Sequence, residues 1–201
     1  MDNESWRYDK PGSRIERKQK KNKKKNANKH FKQSPNVAVY NNTKSMCEHI
    51  TVRDPIFYDR IVVASKKQET VHTPVYEIED IDTLLMARKY VEDGYNPLVL
   101  NMASGFQPGG GVAKGSTAQE EELFRRTTAC LSHPKIHYPL REQECIYSPE
   151  VWILKDENKE HLPNHERTKF SMIAIPAIKN PKQRNSVYLC PLQDHYKKVF
   201  I

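Results

Sequence analysis

The 201-residue sequence predicts an α/β domain preceded by a disordered basic tail, and three observations point there. Short β-branched runs alternate with an amphipathic segment in the order strand, helix, strand. The apolar run Pro97 to Ala103 leads directly into a glycine-rich loop, as a strand delivering a ligand-binding loop does. The charge is segregated: residues 1–35 hold 12 Lys and Arg against 4 Asp and Glu, whereas residues 36–201 hold 21 against 21, so the net +8 belongs to the tail. An apolar content of 37% is enough for a core. No run reaches the roughly 18 apolar residues of a membrane helix, and no apolar segment follows Met1 as in a secretory signal. A cytoplasmic or nuclear protein without membrane attachment is the expectation.

Residues 1–34 form the tail. From Arg14 to Lys32 aliphatic residues are almost absent, so burial cannot offset ordering entropy. The block Arg17 to Lys25 fits nuclear import or nonspecific nucleic-acid attraction across 14–32, and equally a solubilising tail. No aromatic residue interleaves the cations of Arg17 to Lys25 to stack on bases, which argues against sequence-selective binding. The domain, 36–201, opens with candidate strands at Val37–Tyr40, Ile50–Val52, Ile61–Val63 and Val75–Ile78. Asp80 or Asp82 then caps a helix with apolar positions at Ile81, Leu84, Leu85, Tyr90 and Val91, stopped by Gly94. The strand 97–103 is apolar up to Asn101, which suits one covered on both faces in a parallel sheet. Further strands are expected at Val151–Leu154 and Phe170–Ile175, separated by the polar stretch 155–169.

Five of the seven glycines fall within residues 104–122. Consecutive glycines at Gly109, Gly110 and Gly111 let backbone N–H groups approach a phosphate or sugar without Cβ obstruction. The spacing is neither G-x-G-x-x-G nor a P-loop. Beyond the loop, Ser116 with Gln119 and Thr117 with Glu120 match the capping-box pattern, and Leu123, Phe124, Thr127, Cys130 and Leu131 recur at helical spacing. Acidic residues in a first turn complement the helix dipole and need no catalytic role. Glu120 and Glu121, however, face a glycine loop and would set two carboxylates beside any ligand held there.

The string Leu98-Val99-Leu100-Asn101-Met102-Ala103-Ser104, then Pro108-Gly109-Gly110-Gly111, then Ala118-Gln119-Glu120-Glu121, resembles the signature of the microbial-type poly(ADP-ribose) glycohydrolases. Tyr147 to Asp156 and Ile173 to Ala177 resemble the strands that follow in that family, so the resemblance spans about residues 75–180. It implies a macrodomain-like three-layer α/β/α fold with a mixed sheet, and a hydrolase that cleaves ribose O-glycosidic bonds without a cofactor. It implies poly(ADP-ribose) or ADP-ribose as ligand, Glu121 as the catalytic acid/base and Glu120 holding hydroxyls of the scissile ribose. Gly109, Gly110 and Gly111 would shape the loop over the ligand, with Asn101 near the terminal ribose and Gln119 completing the binding set. The family's second glycine-rich loop has no counterpart here, because residues 185–201 contain no glycine. A fold incomplete at its C-terminal side is therefore expected. A noncatalytic ADP-ribose reader and a degenerate scaffold with a nucleic-acid-attracting tail stay open beside the enzyme.

Other constellations are weaker. Pro134 and Pro163 interrupt the pairs His133/His137 and His161/His165, removing the helical face that would gather a metal, so no metal is expected. Cys47, Cys130, Cys145 and Cys190 are scattered and read as reduced thiols. Trp152 and Phe106 read as packing residues.

Overall fold

The structure is a computed structural model that describes residues 34–60 and 75–177, together with the backbone of 183–184 and 187–188. The basic tail and the candidate strand Ile61–Val63 lie outside the described residues. The elements are α1 (Pro35–Cys47), β1 (Ile56–Tyr58), α2 (Thr83–Glu92), β2 (Leu98–Ala103), α3 (Gln119–Arg126), β3 (Cys145–Trp152), β4 (Lys169–Pro176), and a short hairpin of β5 (Gln183–Arg184) and β6 (Val187–Tyr188). Four strands form one mixed sheet in the order β1-β3-β4-β2. β1 and β4 run antiparallel to β3, and β2 runs parallel to β4 with Asn101 beside Ala174. The fold is α/β, as expected.

The first correction concerns Val37–Tyr40, which is the start of a helix rather than a strand. Pro35 sits in the first turn, where its fixed φ favours helix and its missing N–H costs nothing. Tyr40, Thr43 and Cys47 then recur at helical spacing; Thr43 and Cys47 are buried, and Tyr40 packs on the core. That stripe outweighs the strand preference of Val37 and Val39. Ile50–Val52 is also irregular: the Ile50 N–H donates to Cys47 O at 3.1 Å, and the edge strand begins later, at Ile56. Val75–Ile78 forms no strand, and Ile78 is fully exposed.

α2 follows its sequence signals. Asp82 caps it by accepting from Leu84 N and Leu85 N, each at 3.1 Å, and Gly94 follows the helix with φ +85°. Asp82 also accepts from buried Arg126 at 2.8 Å. Burial acts to raise the Asp82 carboxyl, but Arg126 and the two backbone amides outweigh it and hold the group below its usual range. Leu84, Ala87, Leu123 and Phe124 from the helices pack with Val99, Val151, Phe170 and Met172 of the sheet. On the opposite face of β2, Leu98 and Met102 are more than half exposed, so this strand is covered on one face among the described residues and not on both. β3 starts at Cys145, earlier than the expected Val151, and its register shifts between Ser148 and Val151.

Candidate active site

β2 ends at Ala103, and Ser104 to Ser116 leave its carboxyl end as the glycine loop that returns to α3. The capping boxes do not form: Ala118 is the N-cap and no side chain caps the helix. The acidic side chains turn instead toward the loop. Glu120 accepts from Ser104 N at 2.8 Å and Gly109 N at 3.0 Å, one bond to each carboxylate oxygen. Glu121 accepts from Gly111 N at 2.7 Å. Gln119 donates to Leu100 O at 2.6 Å and accepts from Met102 N at 2.9 Å, so its amide imitates a neighbouring strand's peptide along β2. Three successive side chains thereby fasten the first turn of α3 to the loop and strand that face it.

The glycines are required by this approach. Gly109 has φ +71°, and a Cβ there would meet Phe124 Cδ1 at 2.6 Å; Gly110 has φ +51°, and a Cβ would meet Glu121 Oε1 at 2.7 Å and Glu120 Oε2 at 2.9 Å. A Cβ on Gly111 would strike Ser116 Oγ. The two carboxylates thus crowd a single point above Gly110. Burial is the largest influence on Glu120 and raises its pKa to about 7, aided by the Glu121 charge and opposed by the Ser104 and Gly109 amides. The Asn101 amide stands near enough to favour the charged form, although neither of its atoms completes a hydrogen bond of good geometry. Tyr138 lies close behind: burial, then the Glu120 charge, raises its phenol.

A cavity of about 390 Å³ opens over this arrangement, lined by Glu120, Glu121, Gly110 and Gly111 with Ser104, Phe106, Gln107 and Lys114. Of the catalytic and binding residues expected from the sequence, these two glutamates and two glycines reach the cavity. Gly109, Asn101 and Gln119 stand behind it, Asn101 fully buried. Phe106 is 73% exposed at the rim and is not the packing residue expected. Lys114 brings a cation that no motif marked, since a lysine in a loop carries no signal until folding places it. A larger groove, about 550 Å³, runs between α2 and β2 past Tyr90, Tyr95 and Leu98; it does not include the glutamates. Among the described residues no group of three His, Cys, Asp or Glu stands close enough to hold a metal ion.

A strand-borne glycine loop clasped by a Glu-Glu helix turn defines the class, and the comparisons identify it. Residues 7–156 match the family "Microbial-type PARG, catalytic domain", and the chain belongs to it, PARG being poly(ADP-ribose) glycohydrolase. The matched stretch starts well before the region that carried the resemblance and takes in most of the basic tail. In fold the chain is similar to poly(ADP-ribose) glycohydrolase from Thermomonospora curvata, with TM-score 0.54 and 24% identity over 70% of this chain and 63% of that one. The same bacterial protein bound to the inhibitor ADP-HPD matches at TM-score 0.53 and 23% identity, over 71% of this chain and 62% of that one. The Deinococcus radiodurans enzyme in complex with ADP-ribose matches at 31% identity over 47% of this chain and 41% of that one, with TM-score 0.40. The chain thus spans about three-fifths of the length of the Thermomonospora structures. No curated protein gives a significant match.

Proposed function

We propose that the chain hydrolyses ribose–ribose O-glycosidic bonds of poly(ADP-ribose), with Glu121 as acid/base and Glu120 as the group that holds the scissile ribose. The observation that carries this reading is the pair of adjacent carboxylates lining one cavity while both accept backbone N–H groups of the glycine loop. Cleavage proceeds through an oxocarbenium-like transition state. Glu121 delivers its proton to the leaving ribose oxygen as the C–O bond breaks. Its carboxylate then takes a proton from the water whose oxygen bonds to the anomeric carbon, which restores the acid. Glu120, fixed through both oxygens, suits the part of orienting an acceptor toward sugar hydroxyls. The ligand is that named for the family's solved members: ADP-ribose and the inhibitor ADP-HPD occupy bacterial relatives.

One observation favours the reverse assignment, in which Glu120 supplies the proton: its carboxyl, raised to about 7, carries a proton over much of the neutral range. Two variants separate the assignments. Glu121→Gln is expected to lower release of ADP-ribose from the polymer by about 10²–10⁴-fold while calorimetric binding of ADP-ribose persists. Glu120→Ala is expected to weaken binding, by about 1.5–3 kcal/mol for a lost charged hydrogen bond. The opposite pattern would exchange the roles. Binding without release by the wild type would identify a reader instead of an enzyme, and neither at millimolar ADP-ribose would leave a scaffold.

A further inference from the structure

Cys47 ends α1, and Cys130 ends the single 3₁₀ turn Thr128–Cys130 that follows α3. Eighty-three positions separate them in the chain, yet their Sγ atoms lie 3.5 Å apart in a thiol–thiol hydrogen bond. Both are free thiols. The contact belongs to a seam that lays α1 against the helix bearing the glutamates. Asn36 Nδ2 donates to Gly115 O at 3.2 Å, Thr43 Oγ1 donates to the Arg125 carbonyl, and Arg125 Nε donates to Asn36 O at 3.4 Å. Gly115 closes the glycine loop, so α1 supports both the loop and the helix of the candidate site.

The two sulfurs are unequal. Cys47 is 3% exposed, whereas Cys130 is only half-buried, so a small oxidant meets Cys130 first. The hydrogen bond with Cys47 is the main influence lowering the Cys130 thiol; burial opposes it, and the Cys130 and Leu131 N–H groups and the Lys44 charge assist it. The same hydrogen bond, then burial, raises the Cys47 thiol. Lys44 is held in this neighbourhood, its Nζ 5.1 Å from the Tyr40 ring centroid.

We propose that Cys47 and Cys130 form a redox modification site, at which an oxidant of the hydroperoxide class converts the pair into a disulfide that pins α1 to the 3₁₀ turn after α3. The Cys130 thiolate attacks one peroxide oxygen and the O–O bond breaks; hydroxide leaves and becomes water with the thiol's proton. Cys130 is then a sulfenic acid. The Cys47 sulfur attacks it, the S–S bond forms, the S–O bond breaks, and the oxygen departs as a second water carrying the Cys47 proton. Two thiols are oxidised by two electrons and one hydrogen peroxide is reduced to two waters. The sulfurs must approach by about 1.5 Å to reach disulfide length.

The test treats the full chain with stoichiometric hydrogen peroxide, then alkylates the remaining thiols. Before alkylation the intact mass is expected to fall by about 2 Da; after it the chain should carry two alkyl groups where the reduced protein carries four, and non-reducing peptide mapping should join Cys47 to Cys130. The thermal midpoint should rise by about 5 °C and return with dithiothreitol. Under the same oxidant, Cys47→Ser, or Cys47→Ala should serine not fold, is expected to trap Cys130 as a dimedone adduct with no rise in midpoint. A bridge from either cysteine to Cys145 or Cys190 would overturn the proposal. So would wild-type Cys130 remaining a sulfenic or sulfinic acid, or a Cys47–Cys130 bridge that leaves the midpoint unchanged.

Discussion

Glu120 sits almost entirely out of water, 4% exposed, with both oxygens held by backbone amides. Those two bonds favour the carboxylate, and burial with the adjacent Glu121 charge disfavours it; burial wins, so the carboxyl titrates at about 7 instead of 4.5. Linkage gives this shift a sign. A carboxyl with a raised folded-state pKa binds its proton more tightly when folded, so its stabilising effect is full below about pH 4.5 and lost as pH rises toward 7. Thermal midpoints of the wild type should therefore fall relative to Glu120→Gln between pH 4.5 and 7.5. Parallel profiles would show that Glu120 titrates normally. The orientation of the same side chain depends on its neighbours. Gln119 turns to the β2 edge and Glu121 to Gly111, so three adjacent residues have three different partners.

Within the glycine loop, neighbouring residues meet different surroundings, and substitution should separate them. An alanine at Gly109 would drive its Cβ into the buried Phe124 ring at 2.6 Å, against a side chain 1% exposed that cannot retreat. Overpacking with the positive φ should cost about 2–4 kcal/mol of stability, read in denaturant melts. At Gly110 the obstacle is the carboxylate pair itself. Gly110→Ala should cost about 1 kcal/mol of stability but displace both glutamates, lowering polymer cleavage by about 10²-fold. Equal stability losses at the two positions would contradict the packing described. This loop was legible in the sequence because glycine clusters and paired acids are local signals, and the α2 cap at Asp82 was legible for the same reason. Helix α1 was not: Val37 and Val39 favour strand locally, and the stripe Tyr40, Thr43, Cys47 acquires meaning only against Arg125 and Cys130, more than 80 residues away. The capping boxes failed likewise, since Gln119 and Glu120 have stronger tertiary partners than their own helix terminus. Lys114 and Phe106 reach the cavity through the path of the loop, which residue type alone does not encode.

At the scale of the molecule, the charge is segregated, and under the proposed function the basic segment is expected to distinguish polymer from monomer. The net +8 resides in residues 1–35, whereas residues 36–201 are balanced. The family match begins at residue 7, so this segment is part of the stretch the chain shares with its family. Poly(ADP-ribose) is a polyanion with a pair of phosphates per unit, whereas ADP-ribose carries only one such pair. Clustered cations attract a long polyanion by releasing its condensed counterions, an effect that grows with polymer length and weakens with salt. Replacing Lys20, Lys21, Lys23, Lys24 and Lys25 by Gln in the full chain should therefore raise KM for the polymer at low salt. The loss should be about tenfold or more near 50 mM salt and vanish as salt rises, because each neutralised phosphate contributes to the logarithmic salt slope. Affinity for ADP-ribose, measured by calorimetry on the same variant, should not change. Single-stranded RNA should compete with the polymer for the wild type and fail to compete for the variant, without sequence preference. If the five substitutions left the polymer's KM and its salt dependence intact, the cations that recognise polymer would have to lie in the balanced region, where Lys114 at the cavity rim is the first position to substitute.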